Sequence, residues 1–251
     1  MLKAVDFYYF SPTGGTQKVG QCLANAMAKS AILHDFADKK HSADPTAELS
    51  IIALPVFGGR IPAFAAQKLK LIDGKNKKAV AIVVYGNRAY EDALLELNNL
   101  AKESFNVIAC GAFVAQHSMY PKLGEGRPDG ADVEELNAFA ALILRKLACG
   151  QNGEIKVPGN YPYKADFIAP ATPVSSDSCC LCEKCAQACP TDAIAICAGK
   201  LTTDLSKCML CMACVHACPN YARALPEPMQ KQIQLMLDKY RSARRKNEIY
   251  I

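Results

Sequence analysis

Ala4-Val5-Asp6-Phe7-Tyr8-Tyr9-Phe10-Ser11-Pro12-Thr13-Gly14-Gly15-Thr16 reads as an apolar strand that breaks into a loop of glycines and hydroxyls. A helix is expected directly after it, over 17–29. A strand–loop–helix turn of this kind presents backbone N–H groups and the positive helix end to an anion. It is not a Walker A loop, because G-x-x-x-x-G-K-[ST] cannot be matched. The two glycines are adjacent, which excludes the G-x-G-x-x-G dinucleotide fingerprint. What remains is a cradle of Ser11, Thr13, Gly14, Gly15 and Thr16 with no basic residue inside it.

Downstream of this turn, apolar runs alternate with helical patterns. Strands are expected at 3–10, 31–35, 50–57, 79–85 and 106–115, and further helices at 62–72, 90–102 and 133–148. Pro62 suits a first helical turn, and Asp132 with Glu135 has the spacing of a capping box. Ile51-Ile52-Ala53-Leu54 and Val80-Ala81-Ile82-Val83-Val84 are apolar without alternation, as expected for strands covered on both faces. Five such strands joined by crossover helices imply a doubly wound parallel sheet of α/β class. Residues 1–150 are assigned to this domain.

Residues 151–177 contain Pro158, Pro162, Pro170 and Pro173 and read as an ordered, extended connector. Residues 178–225 form a cysteine module of α+β type. The remaining stretch, 226–251, is expected to be a basic amphipathic helix, because Ile233, Met236, Leu237 and Tyr240 fall on one helical face.

The chain has 251 residues, 51% of them hydrophobic and 21% charged, a globular composition that excludes disorder and fibrous repeats. No apolar run approaches the roughly 18 residues needed to span a bilayer, and no membrane association is expected. The start, Met1-Leu2-Lys3-Ala4-Val5-Asp6, has no signal-peptide pattern, so a cytoplasmic setting is expected. The formal net charge is +5. Its one basic concentration is the C-terminal stretch with Lys231, Lys239, Arg241, Arg244, Arg245 and Lys246, so a broad nucleic-acid surface is not expected.

Of 13 cysteines, Cys22, Cys110 and Cys149 stand apart and the other ten lie between Cys179 and Cys218. Cys179, Cys182, Cys185 and Cys189 with Pro190 form C-x₂-C-x₂-C-x₃-C-P. Cys208, Cys211, Cys214 and Cys218 with Pro219 repeat it, each position displaced by 29 residues, as in 208−179 and 218−189. Structural zinc also favours C-x₂-C knuckles, but the doubled spacing with its trailing prolines is that of iron–sulfur ligation. Cys180 and Cys197 fall outside the pattern; Cys180 is an alternative ligand or a bystander. Cys110 is expected to be buried and inert.

The module resembles two-cluster bacterial ferredoxins, also through Pro190-Thr191-Asp192-Ala193-Ile194 and the Asp204-x-x-Lys207-Cys208 lead-in. The resemblance implies two [4Fe-4S] clusters. One would be held by Cys179, Cys182, Cys185 and Cys218, the other by Cys208, Cys211, Cys214 and Cys189.

The N-terminal cradle resembles the phosphate loop of flavodoxins, T/S-x-T-G-x-T, with Gly15 where Asn is common. This resemblance implies FMN and the strand order 2-1-3-4-5, with the ligand beyond the carboxyl ends of strands 1 and 3. Two loops arrive at that edge. Val56, Phe57, Gly58, Gly59 and Arg60 lie on the first; Tyr85, Gly86, Asn87, Arg88 and Tyr90 lie on the second. Each brings aromatic, glycine and arginine residues suited to a planar, partly anionic ring. His117, following the fifth strand, is a candidate proton donor or a plain loop histidine.

Taken together, the chain resembles flavodoxin–ferredoxin fusion proteins of anaerobic bacteria, also through Gly126-Arg127-Pro128-Asp129. An electron-transfer iron–sulfur flavoprotein is expected, served by a redox partner protein (a ferredoxin or a reductase). One alternative is a flavin-dependent reductase of a quinone, nitro compound or enone, with Arg60, Arg88 or His117 orienting this small-molecule acceptor. Another is a redox-sensing module whose basic tail touches nucleic acid.

Overall fold

A computed structural model describes residues 1–39, 43–150 and 153–251. The first half alternates β1 (Val5–Tyr9), α1 (Gly15–Met27), β2 (Ala31–Asp35), β3 (Leu49–Pro55), α2 (Ala63–Lys70), β4 (Lys78–Tyr85), α3 (Ala93–Lys102), β5 (Asn106–Val114) and α4 (Gly130–Ala148). These five strands pair in parallel in the order β2-β1-β3-β4-β5. β1 and β3 are buried along their whole length. Their side chains therefore feed two cores on opposite faces. Val5, Phe7 and Tyr9 pack with Leu23 and Met27 of α1 and Phe139 and Ile143 of α4. Tyr8, Ile52 and Leu54 pack with Leu69 of α2 and Leu94 and Leu97 of α3.

α4 starts one turn earlier than its apolar pattern suggests. The reciprocal cap is made by Asp129 and Asp132, not by Asp132 and Glu135. Asp129 holds an extended backbone and accepts from the N–H groups of Ala131 and Asp132, while Asp132 accepts from the N–H of Asp129.

The connector runs without helix or strand from residue 153 to 173 along the edge of α3. Asp92 accepts from the backbone N–H groups of Asn160 and Lys164, each at 2.7 Å, and buried Asn98 donates to the Ile155 carbonyl.

The cysteine module contains β6 (Val174–Ser175), α5 (Lys184–Gln187), β7 (Ile194–Cys197), β8 (Lys200–Thr203), α6 (Ala213–His216) and β9 (Arg223–Ala224). β6 pairs with β9 and β7 with β8, both antiparallel, so the folded module begins a few residues before 178. The internal repeat is present in the backbone. Left-handed residues Leu181, Glu183 and Asp192 recur as Leu210, Met212 and Tyr221, each 29 positions on. The N–H of Ala193 donates to Cys189 Sγ at 3.3 Å, and that of Ala222 to Cys218 Sγ at 3.2 Å.

The C-terminal stretch departs from a single long helix. α7 (Glu227–Leu237) passes into one 3₁₀ turn (Asp238–Tyr240), and the chain ends in β10 (Glu248–Tyr250). β10 adds antiparallel to β5, making the sheet six-stranded rather than five-stranded. Ile233 and Leu237 dock with Tyr120, Leu123, Leu210 and Met212, joining the sheet domain to the cysteine module. The exposed basic stretch that follows is held by a side-chain ion pair and by its backbone. Arg244 pairs with Asp129 at 2.7 Å, and the Arg245 carbonyl accepts from Arg127 at 2.7 Å. Among the described residues, no helix is long and apolar enough to cross a membrane.

Candidate functional site

At the carboxyl edge of the sheet, β1, β3, β4 and β5 each release a loop into a cleft of about 340 Å³, within the size range of cofactor sites. The reversal of strand order between β1 and β3, which themselves run parallel, opens it, as expected for a doubly wound sheet. Ser11, Thr13, Gly15 and Thr16 form one end. Gly14 lies just outside the lining, as the left-handed N-cap of α1 at φ +84°, a conformation that costs an L side chain energy. Ser11 Oγ accepts from the N–H of Gln17 at 2.9 Å. Gly15 and Thr16, the first residues of α1, have N–H groups beyond the reach of any helix carbonyl. No acidic residue occupies that first turn, so the positive helix end is not neutralised.

The walls are Val56, Phe57, Gly58, Gly59, Tyr85, Gly86 and Arg88, as the sequence suggested. Gly59 has φ +94°, and a Cβ there would lie 2.9 Å from the Cβ of Glu91. Arg88 donates to Glu91 at 2.6 Å, and Glu91 also pairs with Lys164 at 2.6 Å. These two cations hold the Glu91 carboxyl below its ordinary range against the opposing effect of burial.

Three residues expected at the ring face do other work. Arg60 does not line the cleft; it grips Glu96 of α3 through Nε and Nη2, both at 2.7 Å, and also donates to the Lys164 carbonyl. Asn87 turns toward the C-terminal stretch, donating to the Tyr240 and Ala243 carbonyls and accepting from the N–H of Arg245. Tyr90 donates to Glu248 of β10 at 2.7 Å. All three positions are polar residues on loops whose partners arrive from distant sequence.

His117 does line the cleft, but its Nδ1 accepts from the N–H groups of Met119 and Tyr120, each at 3.2 Å. Burial, with Arg88 nearby, pushes its pKa down to about 4. At neutral pH the ring is uncharged, with its remaining proton on Nε2, so it can orient a ligand by hydrogen bond but is a poor proton donor. The His117 ring is expected to titrate near pH 4 in a chemical-shift titration. Because the unfolded imidazole titrates near 6.5, stability contributed here is complete above about pH 6.5 and falls as pH drops toward 4. An imidazole titrating above pH 6 would show that the ring is not held this way.

The remaining lining comes from parts of the chain that sequence reasoning did not bring here. Phe167 and Lys164 arrive from the connector, Ile233, Met236 and Leu237 from α7, and Met209 and Cys211 from the cysteine module.

The eight patterned cysteines gather in two crossed sets. Cys179, Cys182, Cys185 and Cys218 ring one cavity, and Cys189, Cys208, Cys211 and Cys214 ring the other. Among the described residues, no three His, Cys, Asp or Glu side chains converge on a position for one ion. The first set faces outward, with Cys182 exposed; in the second, Cys189, Cys211 and Cys214 are buried. Backbone N–H groups of Lys184, Leu210 and Ala213 point at Cys182, Cys208 and Cys211, respectively. Burial pushes the Cys211 thiol up to about 12, so a cation at this cavity is needed to hold it as thiolate. Cys180 borders the outer cavity and accepts from Asn220 at 3.2 Å, while Cys197 lies exposed on β7. Cys110 is fully buried, its thiol also pushed up to about 12 by burial. Met209 and Cys211 line both the inner cysteine cavity and the cleft.

A family model described as a 4Fe-4S binding domain matches residues 172–195 and 201–223. The cysteine module thus carries two copies of a 4Fe-4S binding pattern. No curated protein matches the chain. Among solved structures, a flavodoxin from the domain Archaea is 16% identical, with 58% of this chain and 99% of that chain covered and a TM-score of 0.44. Flavodoxin 1 from Bacillus cereus is 15% identical, with 57% and 98% covered and a TM-score of 0.42. The rubredoxin oxygen:oxidoreductase of Desulfovibrio gigas is 18% identical, with a TM-score of 0.41; 58% of this chain is covered, which spans only 36% of that protein's length. The strand order and the cleft are read from this chain's own sheet.

Proposed function

We propose that this chain is an electron-transfer iron–sulfur flavoprotein, with two [4Fe-4S] clusters in the crossed cysteine sets and FMN in the cleft. The observation that carries the reading is the shared wall: Cys211 borders both the inner cysteine cavity and the cleft. When bound, the clusters would supply one-electron exchange and FMN exchange of one electron or two.

The residues present fit these groups. Four thiols around each cavity, drawn from the doubled C-x₂-C-x₂-C-x₃-C-P spacing with the fourth crossing over, suit a cubane. Ser11, Thr13, Gly15 and Thr16 would hold a phosphate through hydroxyls and N–H groups. Phe57 and Tyr85 would flank a planar ring, and Arg88 offers the cleft a cation that Glu91 keeps in place. α7 and Phe167 roof this space with apolar groups and limit water there. A cleft that is uncharged at its phosphate end and neutral at His117 binds and shields; it offers no ready proton donor at that histidine.

The exposure of Cys182 and the burial of Cys211 support a path in which a protein partner meets the outer set and the inner set serves the cleft. A ferredoxin or a reductase is the partner class this order suits. A reducing cytoplasm, where clustered thiols remain available to iron, is the setting.

The test is anaerobic purification with iron, sulfide and flavin analysis, followed by reductive titration. The expected uptake is about 4 electrons per chain, one per cluster and two for FMN. Colourless protein filled with zinc, or a cleft holding a nucleotide without a flavin ring, would overturn the reading.

A further inference from the structure

The two halves of the cysteine module differ at one buried position. Five residues after Cys189 stands Ile194; 29 positions on, five residues after Cys218, stands Arg223. Ile194 lines the inner cavity and Arg223 the outer one. Arg223 is only 3% exposed. Its Nη1 donates to Ser175 Oγ at 3.1 Å and its Nη2 to Thr203 Oγ1 at 2.9 Å. The same Nη2 lies 3.9 Å from Sγ of Cys214, a member of the inner set. Its Nε is buried without a hydrogen-bond partner. Among the described residues, no carboxylate forms an ion pair with it.

A buried guanidinium without a carboxylate is costly, and two hydroxyls do not neutralise it. The groups it does face are sulfurs: Cys214 of the inner set, and Cys179, Cys182, Cys185 and Cys218 around the outer cavity that it lines. Cluster potentials depend on net charge, hydrogen bonds to sulfur and exposure. In surroundings of low dielectric a fixed cation acts strongly on both sites.

We propose that Arg223 sets the redox poise of the module, as a fixed positive charge between the two cysteine sites that makes both easier to reduce. This rests on the two-cluster reading above. Thr203 and Ser175 aim the guanidinium, and the apolar Ile194 leaves the corresponding place in the other half without a charge. The single cation thus serves two sites from one side of the pseudo-symmetric module.

The experiment compares the full-length chain with Arg223→Gln, Arg223→Met and Arg223→Lys in redox titrations followed by electron paramagnetic resonance, with iron analysis of each. Removing the charge is expected to lower the reduced-to-oxidised ratio of each cluster about tenfold at a given applied potential, about 59 mV for one electron. R223K should stay near wild type while R223Q and R223M shift together, a pattern that lost packing alone would not produce. Unmoved potentials in the two neutral variants at full iron content would overturn the proposal. So would loss of iron from both neutral variants, which would assign Arg223 to assembly. A wild-type chain with fewer than about eight irons would instead sink the two-cluster reading.

Discussion

Replacing Cys211 by serine is expected to halve the iron content, from about eight to about four per chain, and to abolish one of two paramagnetic signals. Cys211 is placed to have this effect because it is a buried member of the inner set at the wall shared with the cleft. The structural cost should also be large. The module's own core is small: Cys185, Cys189, Cys214, Ala193 and Ile194, with Ala186, Leu201, Cys208 and Val215 packed on it. A module of this size folds around its metal, so ligand loss is also loss of folding free energy. Cys180→Ser is the control. Although Cys180 borders the outer cavity, it lies outside the repeated spacing, and the variant should retain about eight irons. Equal iron in C211S and wild type would remove Cys211 from the ligand set; loss of iron in C180S would bring Cys180 into it.

The parts of this molecule legible in the sequence are those whose cause is local. The runs around Ile51 and Val80 are apolar on every residue because both sheet faces are covered, and no polar alternation obscures them. The cysteine spacing survives as geometry because each loop places three thiols and the fourth lies beyond a short helix. The phosphate-loop hydroxyls lie on the same tight turn as the helix they precede. Arg60, Asn87 and Tyr90 show the opposite case. An arginine on a loop at a ligand edge looks the same whether it faces a ring or Glu96, 36 positions later. Asn87 and Tyr90 meet residues more than 150 positions away, and no spacing rule carries that information. β10 is three residues long, and Glu248, Ile249 and Tyr250 form a strand because β5 offers an open edge. The roof of the cleft was hidden for a related reason. Ile233 and Leu237 mark an apolar helix face, but a periodicity names no partner.

The ion pair that anchors this roof yields the second large effect. Arg127 and Asp132 are both buried, and Arg127 Nε donates to Asp132 at 2.9 Å while its Nη2 engages the other carboxylate oxygen. Asn247 donates to the same carboxylate at 2.9 Å. Arg127 also donates to the Arg245 carbonyl. One buried pair therefore ties the chain after α7 to the start of α4.

Arg127→Met removes the buried guanidinium from Asp132 and leaves that carboxylate, among the described residues, only the exposed Arg244 as a cation at 3.5 Å, at an expected cost of roughly 3–5 kcal/mol. The pH dependence should weaken with it. Burial alone would raise the Asp132 pKa, but Arg127 and the other donors outweigh it and hold it below the ordinary range. In the wild type, this contribution is present above the unfolded value near pH 4 and lost as pH falls through the lower folded value. In R127M the largest opposing interaction is gone, so the folded pKa of Asp132 rises and this gain of stability with pH shrinks.

Urea midpoints measured from pH 3 to 7 would therefore rise with pH in the wild type relative to R127M. A second substitution, Asp132→Asn, should recover part of the loss in R127M because it removes the stranded charge. Parallel pH profiles in the wild type and R127M, or additive losses in the double variant, would show that the pair does not hold this end of the chain in place.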